Sequence, residues 1–211
     1  SVSSELTVGP AIGALIDRSG DARMVVLGSR GLGEVTGALL GSVTSALAHH
    51  AHSPVAVIGD WPRTTRPTAQ DPVVVGVDGT VHSEPTIAMA FEEASLRGAA
   101  LIALHAWSDV ALSTLSPHNQ GLPWNSIETA EQAMLAESLA GWREQYPDVA
   151  VRTRVVPDRL VHHLVAQAND AALLVVGSRG RGGFAGMLLG STSTAVLHAT
   201  ECPLLIVRST Y

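Results

Sequence analysis

The sequence predicts an α/β fold, with a five-stranded parallel sheet and helices on both faces, built as a tandem repeat whose first copy is incomplete. Two observations predict it. Short apolar runs alternate with longer segments of helical periodicity, which is typical of βαβ units with parallel strands. In addition, residues 28–58 and 177–207 align without a gap at an offset of 149, with 13 identities in 31 positions. Each copy contains an apolar run, a glycine-rich loop, a helical stretch and a second apolar run.

The second repeat is predicted to contain all five strands. Its first strand is a continuous apolar run, which is typical of a strand buried on both faces. Its helices carry apolar stripes, such as Ile87, Ala90 and Ala94 in the first of them. Taken in the order 3-2-1-4-5, the strands place strand one at the centre of the sheet. The predicted elements are strand 73–77, helix 84–97, strand 100–106, helix 128–145, strand 149–156, helix 160–169, strand 172–176, a helix over 191–199 and strand 203–207.

The first repeat is predicted to lack its first two strands and their helices. Shifting the second repeat back by 149 residues predicts a strand over 1–8, a helix over 10–17 and a strand over 22–27. Nothing earlier in the chain corresponds to strands one and two. The expected division is residues 1–58 as the C-terminal half of a first domain, residues 59–71 as a polar linker with two prolines, and residues 72–211 as a complete second domain.

The last strand of each repeat is short and apolar, and it is expected at an edge of the sheet, where an open strand invites pairing. The sequence therefore predicts that Pro54–Ile58 and Pro203–Val207 meet across a pseudo-two-fold axis and join the two repeats. We expect this self-association within the chain, with a homodimer as the alternative.

Composition and charge argue against several classes of protein. The formal net charge of −6 argues against a nucleic-acid-binding surface. All 13 basic residues are arginine, which excludes a Walker A lysine and a Schiff-base lysine. The apolar runs are far shorter than the ~18 residues of a membrane span, and no signal-peptide pattern opens the chain. With one cysteine and no internal disulfide, the protein is expected to be cytoplasmic.

Both copies of the glycine-rich loop have the spacing G-x-x-G, nine residues, then G-[ST]; in the second copy these are Gly177, Gly180, Gly190 and Ser191. Glycine permits positive φ and a close approach of the backbone to an anion, and consecutive N–H groups in such a turn bind anions. The helix that begins at Ser191 adds its positive end. The loop follows strand four and lies beside the crevice where strands one and four diverge. It is therefore predicted to bind phosphate groups.

Charged residues near this crevice are further candidates. Asp78, at the tip of strand one, is placed to accept hydrogen bonds from a ribose or an adenine amine, and Asp109 is a second candidate for the adenosine end. The alternative for Asp78 is a cap of the following helix. Arg179 and Arg181 are candidates to pair with phosphates. For Arg181 the alternative is a surface role, because Leu32 replaces it in the first copy.

The sequence contains no pattern that predicts a metal site or catalytic residues. His49, His50 and His52 are clustered, but no cysteine or carboxylate set completes a metal site. His198 matches His49, which favours a structural role near a helix end. No nucleophile–base pair or pair of carboxylates is evident.

Four segments resemble the universal stress protein family, specifically its ATP-binding, tandem-domain branch of the actinobacterial type: VVVGVDGT (73–80), ALHAWSD (103–109), VVGSRGRGG (175–183) and GS (190–191). The resemblance covers one full domain and the latter part of another. It implies a five-stranded parallel α/β fold, ATP at the glycine loop, with or without Mg²⁺, and dimerisation through the last strand.

Carried over residue by residue, the resemblance implies binding residues in both repeats. The first repeat has no counterpart of Gly76, Asp78 or Asp109, so its site is expected to be half built. The second-repeat candidates are Gly76, Asp78, Asp109, Gly177, Ser178, Arg179, Gly180, Arg181, Gly182, Gly183, Gly190, Ser191, Thr192 and Ser193. The first-repeat candidates are Gly28, Ser29, Arg30, Gly31, Leu32, Gly33, Glu34, Gly41, Ser42 and Val43.

The favoured function is that of an ATP-binding regulatory protein of the stress response, with at most slow ATP hydrolysis and an unknown protein partner. One alternative is an ATP-hydrolysing or adenylyl-transferring enzyme of the same fold, for which Asp109 and His105 are the nearby candidate bases. A second alternative is an interaction module that binds no nucleotide, against which the two intact glycine motifs argue.

Overall fold

The computed structural model describes residues 2–29, 40–59, 68, 70–107, 124–180 and 188–208. The helices are α1 (Ala11–Ser19), α2 (Ser42–His50), α3 (Glu84–Arg97), α4 (Trp124–Gln145), α5 (Leu160–Ala168) and α6 (Ser191–Ala199). The strands are β1 (Val25–Gly28), β2 (Val55–Ile58), β3 (Val73–Val77), β4 (Leu101–Trp107), β5 (Val151–Pro157), β6 (Leu173–Gly177) and β7 (Leu204–Val207).

A continuous sheet runs through both repeats. Within the described residues it has seven strands, in the order β1-β2-β7-β6-β3-β4-β5. Neighbouring strands are parallel except for β2 and β7. The α/β class and the mostly parallel sheet are confirmed, whereas the prediction of a five-stranded sheet is wrong, since the whole sheet has seven strands in a different order. Within it, the five strands of the second repeat lie in the predicted order 3-2-1-4-5. The sheet does not end at β7, because the two strands of the first repeat extend it.

The two repeats are joined by the antiparallel ladder between β2 and β7. Its central pair is Ala56 and Leu205, flanked by Val55–Ile206 and Val57–Leu204. Because Ala56 and Leu205 occupy equivalent positions at the repeat offset of 149, the ladder is symmetric about this pair. The predicted pairing of the two last strands within the chain is confirmed. Since β6 and β2 fill both edges of β7, a homodimer through the same strand would have to displace one of them.

Helices cover both faces of the sheet, as predicted. Alternate strand residues point to opposite faces, so Val74 and Val75 of β3 belong to different apolar clusters. Val74 lies in the cluster beneath α1, α2, α5 and α6, together with Leu164. Val75 lies in the cluster beneath α3 and α4, together with Phe91 and Leu139. No helix within the described ranges is long and apolar enough to cross a membrane.

The strand predicted over residues 1–8 is wrong, because the described residues 2–8 have no regular secondary structure. The matching strand of the second repeat, β5, is held by β4 along seven residue pairs. The described part of the first repeat contains no counterpart of β4, so residues 2–8 have no neighbouring strand. The helix and strand predicted to follow them are present as α1 and β1.

Candidate functional site

A cavity of about 240 Å³ opens at the carboxyl ends of the neighbouring strands β3 and β6. The chain leaves these strands in opposite directions, since β4 lies beyond β3 and β7 lies beyond β6. Open α/β sheets bind ligands at such a switch point. Among the described residues, nine of those predicted for the second-repeat site line this cavity: Gly76, Asp78, Gly177, Arg179, Gly180, Gly190, Ser191, Thr192 and Ser193.

The remaining predicted residues divide into three groups. Ser178 is buried and does not line the cavity. A second group falls outside the described residues: Asp109, Arg181, Gly182 and Gly183 in the second repeat, and Arg30, Gly31, Leu32, Gly33 and Glu34 in the first. The third group is described but belongs to the first repeat and does not line this cavity: Gly28, Ser29, Gly41, Ser42 and Val43.

Hydrogen bonds hold the two ends of the second glycine loop beside each other. Ser178 N–H donates to the carbonyl oxygen of Val207 (2.7 Å), which anchors the loop to the end of β7. Gly190 N–H donates to the carbonyl oxygen of Ser178 (2.7 Å). The Ser193 hydroxyl donates to the carbonyl oxygen of Gly177 (2.5 Å), so the first turn of α6 is fixed against the end of β6. These three hydrogen bonds fix both ends of the loop, and we call them the frame of the loop.

Glycine is needed in this loop because a side chain would lie too close to neighbouring atoms, and not because of backbone conformation. Positive φ among the described glycines occurs at Gly9, Gly79 and Gly98, so the expectation of positive φ at the loop glycines is wrong for Gly177, Gly180 and Gly190. A Cβ at Gly177 would lie 3.0 Å from Thr86 Oγ1 and 3.1 Å from the Arg179 carbonyl oxygen. A Cβ at Gly180 would lie 3.3 Å from Asp78 Oδ2, so the loop passes directly over this carboxylate.

The carboxylate of Asp78 organises the turn that leads into α3. Its Oδ1 accepts hydrogen bonds from Thr80 N–H (2.8 Å), from the Thr80 hydroxyl (2.8 Å) and from the Ser83 hydroxyl (2.5 Å). Asp78 thus has a structural role in this turn, but it does not cap α3, whose N-cap residue is Ser83 and which has no side-chain cap hydrogen bond. Its Oδ2 is the oxygen nearer to Gly180, on the side of the glycine loop. Contact between Asp78 and a nucleoside stays a prediction.

The first turn of α6 provides N–H groups to the cavity. Helical hydrogen bonding begins with Thr194 N–H, which donates to the carbonyl oxygen of Gly190 (2.9 Å). No side chain caps this end of the helix. The N–H groups of Ser191, Thr192 and Ser193 therefore have no acceptor among the described residues, and the three residues line the cavity. A helix start of this kind favours an anion.

Sequence reasoning missed the apolar part of the lining, which includes Leu160 and Leu164 of α5. The chain enters α5 through Asp158 and Arg159, which both have left-handed φ angles, at 48° and 52°. Non-glycine residues rarely adopt this conformation, and it costs on the order of 1 kcal/mol or more per residue. Asp158 N–H donates to the carbonyl oxygen of Trp107 (2.7 Å), which holds the turn against the end of β4. The only signal in the sequence was the apolar spacing of the helix.

Arg208 was also missed. It follows β7, and its guanidinium donates to the carbonyl oxygens of Leu188 (3.0 Å), Ala51 (2.6 Å) and His49. Burial lowers the pKa of this guanidinium, and the positive charge of Arg179 lowers the pKa further. One signal was available in the repeat alignment. The first repeat has Gly59 at the position of Arg208, so the arginine is a feature of the second repeat alone.

His105 lies beneath the site and not in it. The side chain is fully buried; Nδ1 lies 2.7 Å from the carbonyl oxygen of Val77 and Nε2 lies 2.7 Å from Oε2 of Glu131. Because a carbonyl oxygen only accepts, Nδ1 carries a proton and donates to Val77. The ring thus ties the end of β3 to α4. With both nitrogens engaged, His105 is not placed to act as the base that the enzyme alternative requires.

Replacing His105 with leucine is expected to lower the free energy of unfolding by about 3 kcal/mol, because the Val77 carbonyl and the Glu131 carboxylate lose a partner at a buried position. Urea denaturation measures the change. His162→Leu is the control, since His162 is exposed on α5 and its replacement is expected to change stability by less than about 0.5 kcal/mol. Equal effects of the two substitutions would contradict the structural role of His105.

The first repeat reproduces the frame of the glycine loop. Ser29 N–H donates to the carbonyl oxygen of Ile58 (2.8 Å), and Gly41 N–H donates to that of Ser29 (2.8 Å). The Thr44 hydroxyl donates to the carbonyl oxygen of Gly28 (2.7 Å), as Ser193 does to Gly177. Ser42 and Val43 begin α2. The described residues of this repeat contain no counterpart of β3. They therefore provide the glycine loop of a site without the strand that borders the site in the second repeat.

Fold and cavity together define a doubly wound α/β protein with a pocket of mixed polar and apolar lining at its switch point. A family model described as the universal stress protein family matches residues 5–59 and 70–208. Universal stress protein Rv2005c of Mycobacterium tuberculosis is 48% identical over 208 residues, which cover 99% of this chain and 69% of that protein. Universal stress protein Rv1996 of the same species is 47% identical over 208 residues, covering 98% of this chain and 65% of that protein.

The chain belongs to the universal stress protein family. A universal stress protein structure from Archaeoglobus fulgidus superimposes with a TM-score of 0.64 at 21% identity, covering 94% of this chain and 65% of that one, and this similarity concerns the fold alone. The chain thus spans about two thirds of the length of these relatives.

Proposed function

We propose that the chain binds ATP in the second-repeat cavity and acts as a nucleotide-dependent regulatory protein of the stress response, with at most slow ATP hydrolysis. The observation that carries this proposal is the mixed lining of the cavity. The glycine loop, the first turn of α6 and Arg179 contribute polar groups, which we call the polar side, and Ala106, Leu160 and Leu164 contribute apolar surface, which we call the apolar side.

The polar side is suited to the phosphates of ATP. The N–H groups of Ser191, Thr192 and Ser193 lie at the positive end of α6 and have no acceptor among the described residues. Arg179 adds a formal positive charge to the same lining. Gly177 and Gly180 add no side-chain atoms of their own to this side, which allows a close approach of their backbone to an anion.

The apolar side is suited to the adenine ring. Ala106, Leu160 and Leu164 line the cavity, and small-molecule sites commonly combine such an apolar surface with a few fixed polar groups. In this proposal Asp78 Oδ2, which lies next to the glycine loop, accepts a hydrogen bond from the nucleoside. Gly76 leaves room for the Leu164 side chain in the same region, since a Cβ at this position would lie 3.4 Å from it.

Any Mg²⁺ that accompanies ATP would be held mainly by the phosphates and water. Asp78 is the carboxylate that lines the cavity among the described residues. Mg²⁺ commonly binds through one or two carboxylates, substrate phosphates and several waters, and this donor set agrees with that habit. Within the described part of the chain, no three His, Cys, Asp or Glu side chains lie close enough to hold a metal ion by themselves.

The regulatory part of the proposal concerns a change that a partner detects. ATP that binds one arrangement of the glycine loop and α6 more tightly than another shifts the population toward it. We propose a protein partner in the cytoplasm that recognises the ATP-bound surface. Residues 72–211 are the proposed ATP-binding domain.

The hydroxyl of Ser193 provides a test with a matched control in the same chain. Ser193→Ala removes the hydrogen bond to Gly177 and is expected to lower ATP affinity about fivefold, because the loop frame loosens. Thr44→Val removes the equivalent bond to Gly28 in the first repeat and is expected to leave ATP affinity unchanged. Isothermal titration calorimetry measures both. Absence of ATP binding by the unmodified protein would contradict the proposal, and equal losses in the two variants would contradict the assignment to the second repeat.

A further inference from the structure

Arg208 stands where the second repeat meets the first. Its Nε and one terminal nitrogen donate to the carbonyl oxygens of Ala51 and His49, at the C-terminal end of α2. The other terminal nitrogen donates to the carbonyl oxygen of Leu188, two residues before Gly190. One planar guanidinium therefore links a helix of the first repeat to the loop that leads into α6 of the second.

These contacts fix geometry on both sides of the junction. Carbonyl groups at a helix C-terminus lack partners within the helix, and Arg208 donates to that of His49 in α2 and to that of the C-cap residue Ala51. Its described partners are neutral carbonyl groups, whereas Arg18, Arg23 and Arg97 each pair with a carboxylate. The three donors of a rigid fork restrain their acceptors relative to one another, which a flexible ammonium group does poorly.

Through this link, the glycine loop of the second repeat depends on the first repeat. Leu188 connects through Gly190 to Ser193, whose hydroxyl holds the Gly177 carbonyl. The polar side of the cavity is thus braced against α2 through hydrogen bonds, while Leu160 and Leu164 on the apolar side belong to α5. In the first repeat the matching described position is Gly59, which has no side chain to reach in the opposite direction.

We propose that Arg208 is a positioning residue for the polar side of the ATP site, so that tight ATP binding in the second repeat depends on the docked first repeat. This inference rests on the proposed function.

The test compares Arg208→Gln, Arg208→Lys and the control Arg23→Gln, which breaks an ion pair with Glu92 that also joins the two repeats but does not touch the loop. Calorimetry measures the affinity for ATP and for adenosine, which lacks phosphates. Both Arg208 variants are expected to bind ATP about tenfold more weakly, while adenosine affinity changes less than about twofold. Arg23→Gln is expected to bind both as the unmodified protein does. Retained ATP affinity in Arg208→Lys would contradict a positioning role, since it would show that charge alone suffices.

A second measurement needs no nucleotide and separates this inference from the proposed function. In the absence of ligand, amide hydrogen exchange at residues 188–194 and 49–52 is expected to accelerate in both Arg208 variants and to stay unchanged in Arg23→Gln. Unchanged exchange in the Arg208 variants overturns the link whether or not the protein binds ATP. Accelerated exchange in a protein that binds no ATP would retain the link and refute the nucleotide site. Uniformly faster exchange along the whole chain would show general destabilisation and overturn the specific role.

Discussion

Replacing Leu205 with aspartate is expected to lower the free energy of unfolding by at least about 4 kcal/mol. Leu205 is 1% exposed and lies opposite Ala56 at the centre of the β2–β7 ladder. It packs in an apolar cluster with Val75 and Phe91, which offers no partner for a carboxylate. Because this ladder joins the two repeats, the loss is expected to weaken their association as well as the core.

Chemical denaturation measured by circular dichroism gives the change in stability directly. Leu96→Asp is the control, since Leu96 is 73% exposed on α3 and its replacement is expected to cost less than about 1 kcal/mol. An unchanged denaturation midpoint in Leu205→Asp would show that the two last strands do not form the junction between the repeats.

Replacing Gly177 with alanine is expected to weaken ATP binding by at least about tenfold. The added Cβ would lie 3.0 Å from Thr86 Oγ1 and 3.1 Å from the Arg179 carbonyl oxygen, so either α3 or the loop must move. Thr86 is buried, which leaves the backbone of the glycine loop as the part that shifts. The shift alters the surface proposed to hold the phosphates.

Gly141→Ala is the matched control for this prediction. It adds the same atom to a glycine of α4 that has nothing within 4 Å of the added Cβ, so ATP affinity is expected to stay unchanged. Stability is expected to rise by about 0.5–1 kcal/mol, because alanine favours a helix more than glycine does. Calorimetric titration of both variants gives the comparison. Normal ATP binding by Gly177→Ala would contradict the assigned role of the loop.

Local patterns were sufficient to predict most of the second repeat. The continuous apolar run of β3 and the periodic helix α3 were found near their observed bounds, because burial on two faces and on one face leave different spacings. The short apolar last strand of each repeat, expected at a sheet edge, also predicted the ladder between these strands. Nine residues of the predicted second-repeat site line one cavity for the same reason, since the loop spacing fixes their place at the strand ends.

What was missed depends on contacts between distant parts of the chain. Residues 1–8 were predicted as a strand by analogy with β5, but a strand needs a neighbour, and the described first repeat has none to offer. The seven-stranded sheet follows from the joining of two repeats, which no single segment encodes. Arg208 looks like a surface residue in the sequence, and its three carbonyl acceptors come from two different repeats.

The loop glycines show how a correct prediction was reached with one wrong reason. Their spacing indicated a close approach of the backbone, and this is what Gly177 and Gly180 provide. Positive φ was the wrong part of the argument, since the described loop glycines do not have it. Backbone dihedral angles depend on how β6, β7 and α6 meet, and spacing along the sequence carries little information about that geometry.

The most direct test of ATP binding is to denature the purified protein with heat, identify the released nucleotide and measure its amount per chain, then titrate the emptied protein with ATP. We expect about one ATP per chain, because the second repeat provides both sides of a site at the switch point and the described first repeat provides one. No released nucleotide, followed by no binding of added ATP, would contradict the assignment of this cavity as an ATP site.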